Sequence, residues 1–334
     1  MAVRTNEVDA DWITRTGTAF CSAKILLTAL ELGVFEAATE DTTEPELRTR
    51  LGLHPRASLT LLQALVSLGL LRRRGEHYRN APAAQRHLVR SEPSYRGGYL
   101  LRANHMLYPA WGRLTEAVRS GEPQVDLPFA EMTGDPARLR RYLDMMDSLS
   151  APVAEELVRS VDWSIHRRVL DVGGARGNLV SLLALAHPHL EVGVFDLPQM
   201  EAPFHEHTSA HGLAERATFH PGDFFRDPLP EHETIVIGHV LHNWAPEQRQ
   251  AIVAKAAEAL PPGGTLLVYD QMIAAGLSDP ESLITSLTML LTTDGGAEYS
   301  AAQCEDWMKT AGLRPVSAVP IGVHDFLVRA ERDG

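Results

Sequence analysis

A chain of 334 residues, 44% apolar and 22% charged, has material for an enzyme core plus a second, smaller domain. Its net charge of −12 argues against partners that need basic patches, nucleic acid and anionic membrane surfaces alike. The longest apolar runs, such as Ile235–Val240 and Thr265–Tyr269, are too short to span a bilayer, Met1–Asp11 carries no signal-peptide pattern, and two distant cysteines, Cys21 and Cys304, fit a reducing cytoplasm rather than a disulfide framework.

The first hundred residues read as helical. Phe20, Ile25, Leu26, Ala29, Leu30 and Leu32 to Val34 put a broad apolar face on a helix that stops at Gly33. The face of Thr18–Val34 is too large for a small domain to leave in water, and it predicts a homodimer. Short helices follow over Glu44–Leu51 and Arg56–Leu68, then two short strands around a turn at Gly75. Helix, helix and β-ribbon make a winged-helix pattern. Arg72, Arg73 and Arg74 invite a DNA-binding regulator; the acidity of the chain favours subunit packing with a solvated wing. Residues 1–102 are therefore expected to be a dimerisation domain and residues 103–334 a catalytic one.

Helices dominate again from Ala103 to about Val161, the segment expected to line a substrate site. Strands then alternate with helices: Arg168–Val172, Glu191–Phe195, Ala217–His220, Thr234–Gly238, Thr265–Asp270, Pro315–Pro320 and Val323–Arg329, with helices starting near Asn178, Pro198, Pro246, Glu281 and Ser300. Such alternation predicts an α/β fold with a doubly wound sheet. A short turn at Gly322 makes one of the last two strands antiparallel to the rest.

The strongest local signal is Asp171-Val172-Gly173-Gly174-Ala175-Arg176-Gly177-Asn178, an apolar strand entering a glycine turn and a helix. Ligands in such folds sit at the carboxyl ends of the strands, where glycine lets the backbone approach them. A dinucleotide fingerprint needs glycine at 173, 175 and 178 and fails at the last two. Asp196 closes the second strand. It can accept both hydroxyls of a ribose, with Leu197 over the base, or merely cap the next helix. After the third strand, Asp223 can accept a base amino group while Phe224 packs on its ring. Gly238, ending the fourth strand, is placed with the same ligand.

Beyond that strand come His239 and His242 in His239-Val240-Leu241-His242-Asn243-Trp244. His242 sits just past a buried strand at the ligand edge and titrates near neutrality, so it can act as a base; His239 is the competing candidate. Asp270, ending the fifth strand, and Glu298, in Gly295-Gly296-Ala297-Glu298, are the acids that can fix its tautomer. Either could instead be a turn or helix-start residue. His205, His207 and His211 lie close in sequence, but no carboxylate or cysteine pattern makes them a metal site.

Taken together, these motifs resemble the S-adenosylmethionine-dependent small-molecule O-methyltransferases, a family that includes plant caffeate and flavonoid enzymes and bacterial polyketide-tailoring enzymes. The resemblance runs from the winged helix to the last strand. It rests on Asp171-Val172-Gly173-Gly174, Asp196-Leu197-Pro198, Gly222-Asp223-Phe224-Phe225, Leu241-His242-Asn243-Trp244 and Gly295-Gly296-Ala297-Glu298. It implies a class I methyltransferase fold in which Asp171, Gly173, Gly174, Gly177, Asp196, Leu197, Asp223, Phe224 and Gly238 hold S-adenosylmethionine, leaving S-adenosylhomocysteine as product. His242 becomes the general base flanked by Asp270 and Glu298. Met289, Thr293, Met145 and Met146 become walls for a small aromatic substrate, with the N-terminal helix of a partner subunit closing the pocket and no metal taking part. Three features depart from the usual pattern: Ala175 replaces a glycine, Asn243 a common Asp, and Asp270 a Glu with longer reach. Some members of the family keep the fold and cofactor for hydroxylation or cyclisation instead.

Overall fold

In the computed structural model, which describes residues 8–92, 94–125, 134–273 and 280–334, the chain divides into two compact units, Met1–Pro109 and Ala110–Gly334. The first unit holds α1 (Ala10–Glu31), α2 (Val34–Ala37), β1 (Thr42–Thr43), α3 (Glu44–Leu51), α4 (Pro55–Ser67), β2 (Leu71–Arg74), β3 (His77–Asn80), α5 (Pro82–Leu88) and α6 (Gly97–Arg102). A π-helical turn, Ala103–Leu107, and α7 (Tyr108–Trp111) follow. Local chemistry sets these bounds. Asp9 caps α1 by accepting the Trp12 N–H at 2.6 Å, and Glu46 reaches back to the Thr43 N–H at 2.7 Å to start α3. Gly75 takes φ +59 in the turn between β2 and β3.

The wing has three strands, in the order β1-β3-β2. The sequence shows only two of them, because a strand of two residues is too short to display alternation. Phe35, Leu47, Leu62, Leu65, Leu71 and Tyr78 form the core of this unit. Trp12, Ile13 and Phe20 stay exposed along α1, at 45%, 59% and 57%.

The second unit is built on a seven-stranded sheet of order β6-β5-β4-β7-β8-β10-β9. Its strands are β4 (Arg168–Val172), β5 (Glu191–Asp196), β6 (Ala217–Pro221), β7 (Thr234–Gly238), β8 (Thr265–Asp270), β9 (Leu313–Ile321) and β10 (Asp325–Arg332). Pairs among β4 to β8 are parallel, and β10 runs antiparallel to both β8 and β9. Both faces are covered, as a parallel sheet requires. Val169, Val192, Val194, Val236 and Leu267 point to one core, shared with α9 (Pro136–Ser160), α10 (Asn178–Ala186) and α11 (Glu201–Ala210). Leu170, Ile235, Ile237, Leu266 and Val268 point to the other, shared with α12 (Pro246–Ala259) and α14 (Ala301–Thr310). Between β6-side and β9-side strands, the order reverses at β4 and β7, the place where such sheets open a crevice for ligands. In addition, α8 (Leu114–Ser120) meets α13 (Pro280–Thr292) through Ala117 and Leu291.

Candidate active site

The glycine turn leaves β4 under tight constraint. The Gly173 N–H donates to the Phe195 carbonyl at 2.8 Å, joining the ends of β4 and β5. Gly173 has φ +79, and a Cβ there would meet the Val240 side chain at 2.6 Å. A Cβ on Gly174 would fall 2.6 Å from the Asp171 carboxylate. Ala175 itself sits at φ +50, a left-handed conformation that is costly for a residue with a Cβ. Its N–H donates to Asp196 at 2.8 Å, and the other oxygen of Asp196 accepts the Leu197 N–H at 2.7 Å. Asp196 therefore holds the glycine turn to the end of β5.

Burial first, and the nearby Asp196 charge second, push the Asp171 carboxyl up to about 7. Burial pushes Asp196 up to about 6 against the two backbone N–H groups that favour its charge. Two confined acids beside a bare-backbone turn suit a ligand that is cationic at one end and carries a sugar diol at the other. S-adenosylmethionine has both features, and these residues fit it.

Asp223 and Phe224 follow β6. The Asp223 carboxylate accepts the Phe225 N–H at 2.9 Å and lies 3.5 Å from Arg226, so it also stabilises its own turn. Phe224 meets Trp244 edge-on, 5.8 Å between centroids. Gly238 has a packing reason of its own, since a Cβ there would run into the Tyr269 ring.

His242 lies on a 3₁₀ turn, Leu241–Asn243, just past β7. Its Nδ1 is 2.9 Å from Glu298 Oε1 and 3.6 Å from Asp270 Oδ1. The shorter Asp270 side chain stays farther away, and it is steadied by the Tyr299 hydroxyl, which donates to Oδ2 at 2.6 Å. Asp270 and Glu298 are both buried, and one oxygen of each, Oδ1 and Oε2, has no hydrogen-bond partner among the described residues. Neither is a surface turn residue. The Glu298 N–H donates to the Ser286 hydroxyl of α13 at 3.2 Å.

Arg249 ties these pieces together. Buried at 3% exposure, it donates to the Trp244 carbonyl and to the Ala297 carbonyl, each at 2.6 Å, while its guanidinium lies over Tyr299. The Ala297 N–H donates to the His242 carbonyl at 3.0 Å. Asn243 donates to the His239 and Val240 carbonyls, so its amide holds the turn and leaves the imidazole alone. For His242, burial disfavours the cation, but the Asp270 and Glu298 carboxylates outweigh it and raise the imidazole to about 9. Burial raises Glu298 as well, with the His242 contact pulling it back.

His239 is also part of the cluster. It sits at φ +53, its Nε2 lies 2.5 Å from Asp325 at the start of β10, and its ring stacks against His242 with centroids 5.9 Å apart. Asp325, Tyr299, Arg249 and Ser286 belong to no motif and were not legible as site residues. Only the sheet order, which brings β10 next to β8, places Asp325 here.

Of the residues expected to wall the substrate, Met289 shares a face of α13 with Ser286 by its spacing, and Thr293 follows just past the end of that helix. The Thr293 hydroxyl donates to the Met289 carbonyl at 2.7 Å and packs against Gly296, next to the His242 carbonyl. Met145 is buried and Met146 half-buried on α9. The acids on either side of them, Asp144 and Asp147, pair with Arg176 of the glycine turn. Among the described residues, no three His, Cys, Asp or Glu side chains gather as a metal site. The rings of His207 and His211 lie 4.5 Å apart on and just past α11.

Residues 111–314 match the O-methyltransferase domain family, and residues 15–90 match the O-methyltransferase dimerisation domain family. The chain belongs to the S-adenosylmethionine-dependent O-methyltransferase family. It is 44% identical to the tetracenomycin polyketide synthesis 8-O-methyl transferase TcmO of Streptomyces glaucescens, over 92% of this chain and 93% of that one. It is 40% identical to the N,N-dimethyltransferase OxyT of Streptomyces rimosus, over 89% and 88%. The solved structure of PigF with SAH, a methyl transferase of a Serratia species, superposes with a TM-score of 0.90 at 28% identity, covering 97% of this chain and 99% of that one.

Proposed function

We propose that this O-methyltransferase methylates a hydroxyl of a polycyclic aromatic polyketide in secondary metabolism, with His242 as general base. The observation that supports this most is the His242–Glu298 contact of 2.9 Å at Nδ1. An ionised carboxylate only accepts, so Nδ1 carries the proton, and in the neutral ring the lone pair is on Nε2. The likeness to TcmO supports the polyketide class.

Bound S-adenosylmethionine supplies a methyl group on a cationic sulfur, which leaves as a neutral thioether. Alignment and a proton acceptor are then the main needs of the reaction. As the oxygen–methyl bond forms, the hydroxyl proton passes to Nε2 of His242, and Glu298 and Asp270 stabilise the resulting imidazolium. A phenol loses its proton near pH ~10, and an imidazole raised to about 9 is closely matched to it. Asp171 would hold the cationic end of the cofactor and Asp196 its ribose. Leu197, Asp223 and Phe224 hold the base, while Met289, Thr293, Met145 and Met146 line the aromatic substrate.

Residues 1–102 pair two copies into a homodimer, which covers Trp12, Ile13 and Phe20. The enzyme works in the cytoplasm, where Cys21 and Cys304 remain free thiols. No helix among the described residues is long and apolar enough to cross a membrane.

The test is mass spectrometry of products after incubation with S-adenosylmethionine and a panel of hydroxylated naphthacenes, anthraquinones and naphthoates. Gain of one methyl on oxygen is expected. The likeness to OxyT favours a second reading, methylation of an amine, so amino-substituted members belong in the panel. Methylation of the amine alone would replace the hydroxyl assignment, and an oxidised or cyclised product without a new methyl would replace transfer itself.

A further inference from the structure

The residue after Ala175 faces the opposite way. Arg176 donates through Nε to Asp147 at 2.6 Å and through Nη1 to Asp144 at 2.8 Å, and its Nη2 lies 2.5 Å from Asp147. The Arg176 and Asp147 side chains are mostly covered, at 19% and 21% exposure. Both acids lie on α9, one on each side of the Met145-Met146 pair. Consecutive residues of one turn therefore bind two different things. The Ala175 N–H holds Asp196, the acid assigned to the ribose, and the Arg176 side chain holds the helix assigned to the substrate.

We infer that Arg176 is a positioning residue that transmits cofactor occupancy to α9, so that the substrate-lining helix is set only once the cofactor is bound. This rests on the assignment of Asp196 and the glycine turn to S-adenosylmethionine. The physical basis is the turn itself. Gly173, Ala175 and Gly177 all have positive φ, and the turn is pinned on both sides of Arg176, by the Gly173 N–H on the Phe195 carbonyl and by the Gly177 N–H on the Gly174 carbonyl. A ribose diol on Asp196 competes with the Ala175 N–H for carboxylate lone pairs. Any adjustment of that bond moves the adjacent Cα of Arg176. A guanidinium forked between two carboxylates has a narrow range of good geometries, and it passes the adjustment to α9 instead of absorbing it. Two sites joined this way influence each other's affinity reciprocally.

The experiment is hydrogen–deuterium exchange over residues 136–160 with and without S-adenosylhomocysteine, on the wild type and on Arg176→Gln and Asp147→Asn. The second variant leaves the glycine turn unaltered. Calorimetry measures S-adenosylhomocysteine binding to each protein in parallel. In the wild type, the ligand is expected to slow exchange in α9 about fivefold or more, the lower end of typical coupling between sites. Both variants are expected to bind it and lose that slowing, and Arg176→Glu combined with Asp147→Arg to regain part of it.

A purely structural tie gives a different pattern: exchange in α9 rises in the variants with and without ligand alike, and the ligand-dependent slowing survives. That result overturns the proposal, as does binding to the wild type without any slowing. Failure of the wild type to bind S-adenosylhomocysteine overturns the cofactor assignment and this proposal together. Loss of binding in both variants makes the pair part of the cofactor site and overturns the proposal alone.

Discussion

Glu298 holds the Nδ1 edge of His242 at 2.9 Å, and this contact leaves Nε2 as the nitrogen with the lone pair in the neutral ring. Replacing His242 by Ala is expected to lower turnover about 10²–10⁴-fold, the usual contribution of a positioned base. Binding of S-adenosylhomocysteine is expected to stay within a fewfold, since Asp171 and Asp196 remain. Stopped assays and calorimetry on the same preparation check both. If the variant matches wild-type turnover at neutral pH, the base is elsewhere, and His239→Ala is the next measurement.

The pH profile follows from the same pair of carboxylates. A base works deprotonated, and His242 is raised to about 9, so kcat/KM is expected to climb with pH from neutrality, with its midpoint near 9 and the plateau above it. Glu298→Gln removes one of the charges that raise the imidazole, so the midpoint moves to lower pH. That variant keeps an acceptor at Nδ1 and loses less activity than His242→Ala. A profile flat between pH 6 and 9 in the wild type contradicts the assignment. Stability moves the other way: a raised folded pKa gives His242 a stabilising contribution that is full below about 6.5 and lost as pH passes through about 9.

Cofactor binding carries its own pH signature. Asp171 and Asp196 are held up at about 7 and about 6, and a cationic ligand favours their ionised forms. Binding near pH 6 is therefore expected to release protons, and affinity to fall as pH drops below that. Calorimetry in two buffers of different ionisation enthalpy reads the proton release directly. Asp196→Ala is expected to weaken binding by about 1.5–3 kcal/mol, the typical value of a hydrogen bond to a charged group. Unchanged affinity in that variant removes Asp196 from the cofactor site.

Tyr299→Phe tests the support behind the base. The hydroxyl donates to Asp270 Oδ2 at 2.6 Å, and Asp270 Oδ1 has no hydrogen bond among the described residues. Losing the donor leaves a buried carboxylate still less satisfied, at a cost of about 1–3 kcal/mol. Chemical denaturation measures it, and a change within error would show that water or a rotated Asp270 replaces the bond.

Light scattering is expected to give twice 36.7 kDa at micromolar concentration. Phe20→Glu places a charge on the exposed face of α1, where Phe20 is 57% exposed, and is expected to shift the protein toward monomer without unfolding it. A wild-type monomer would refute the dimer.

Most of the sheet was legible in the sequence, because each buried strand is a short apolar run that stops at a residue with a job: Val172 before the glycine turn, Asp196, Gly238, Asp270. Helix starts at Asn178, Pro246 and Ser300 were marked by glycine, proline and a capping serine. What stayed hidden depends on distant parts of the chain meeting. Asp325 is one acid among many until β10 settles beside β8, and Arg249 reads as a surface helix residue until Trp244 and Ala297 turn their carbonyls toward it. The reason for Gly238 was hidden for the same cause. A glycine at a strand end suits a ligand, and only the fold shows that the Tyr269 ring occupies the space.

The placement of β10 governs how the molecule can assemble. β9 precedes β10 in the chain, yet among the described residues its one neighbour in the sheet is β10. It therefore reaches the rest of the sheet only through the later strand, with which it pairs as a hairpin across the turn between Ile321 and Asp325. Asp325 arrives with that same strand, so the second imidazole of the cluster acquires its carboxylate in the step that closes the sheet. The parallel pairs and the β8–β10 pair alike join distant parts of the chain, and pairing of that kind is slow. The cluster around His239 and His242 is thus whole only when β10 is in place, so whatever loosens that strand from β8 also strips His239 of its carboxylate.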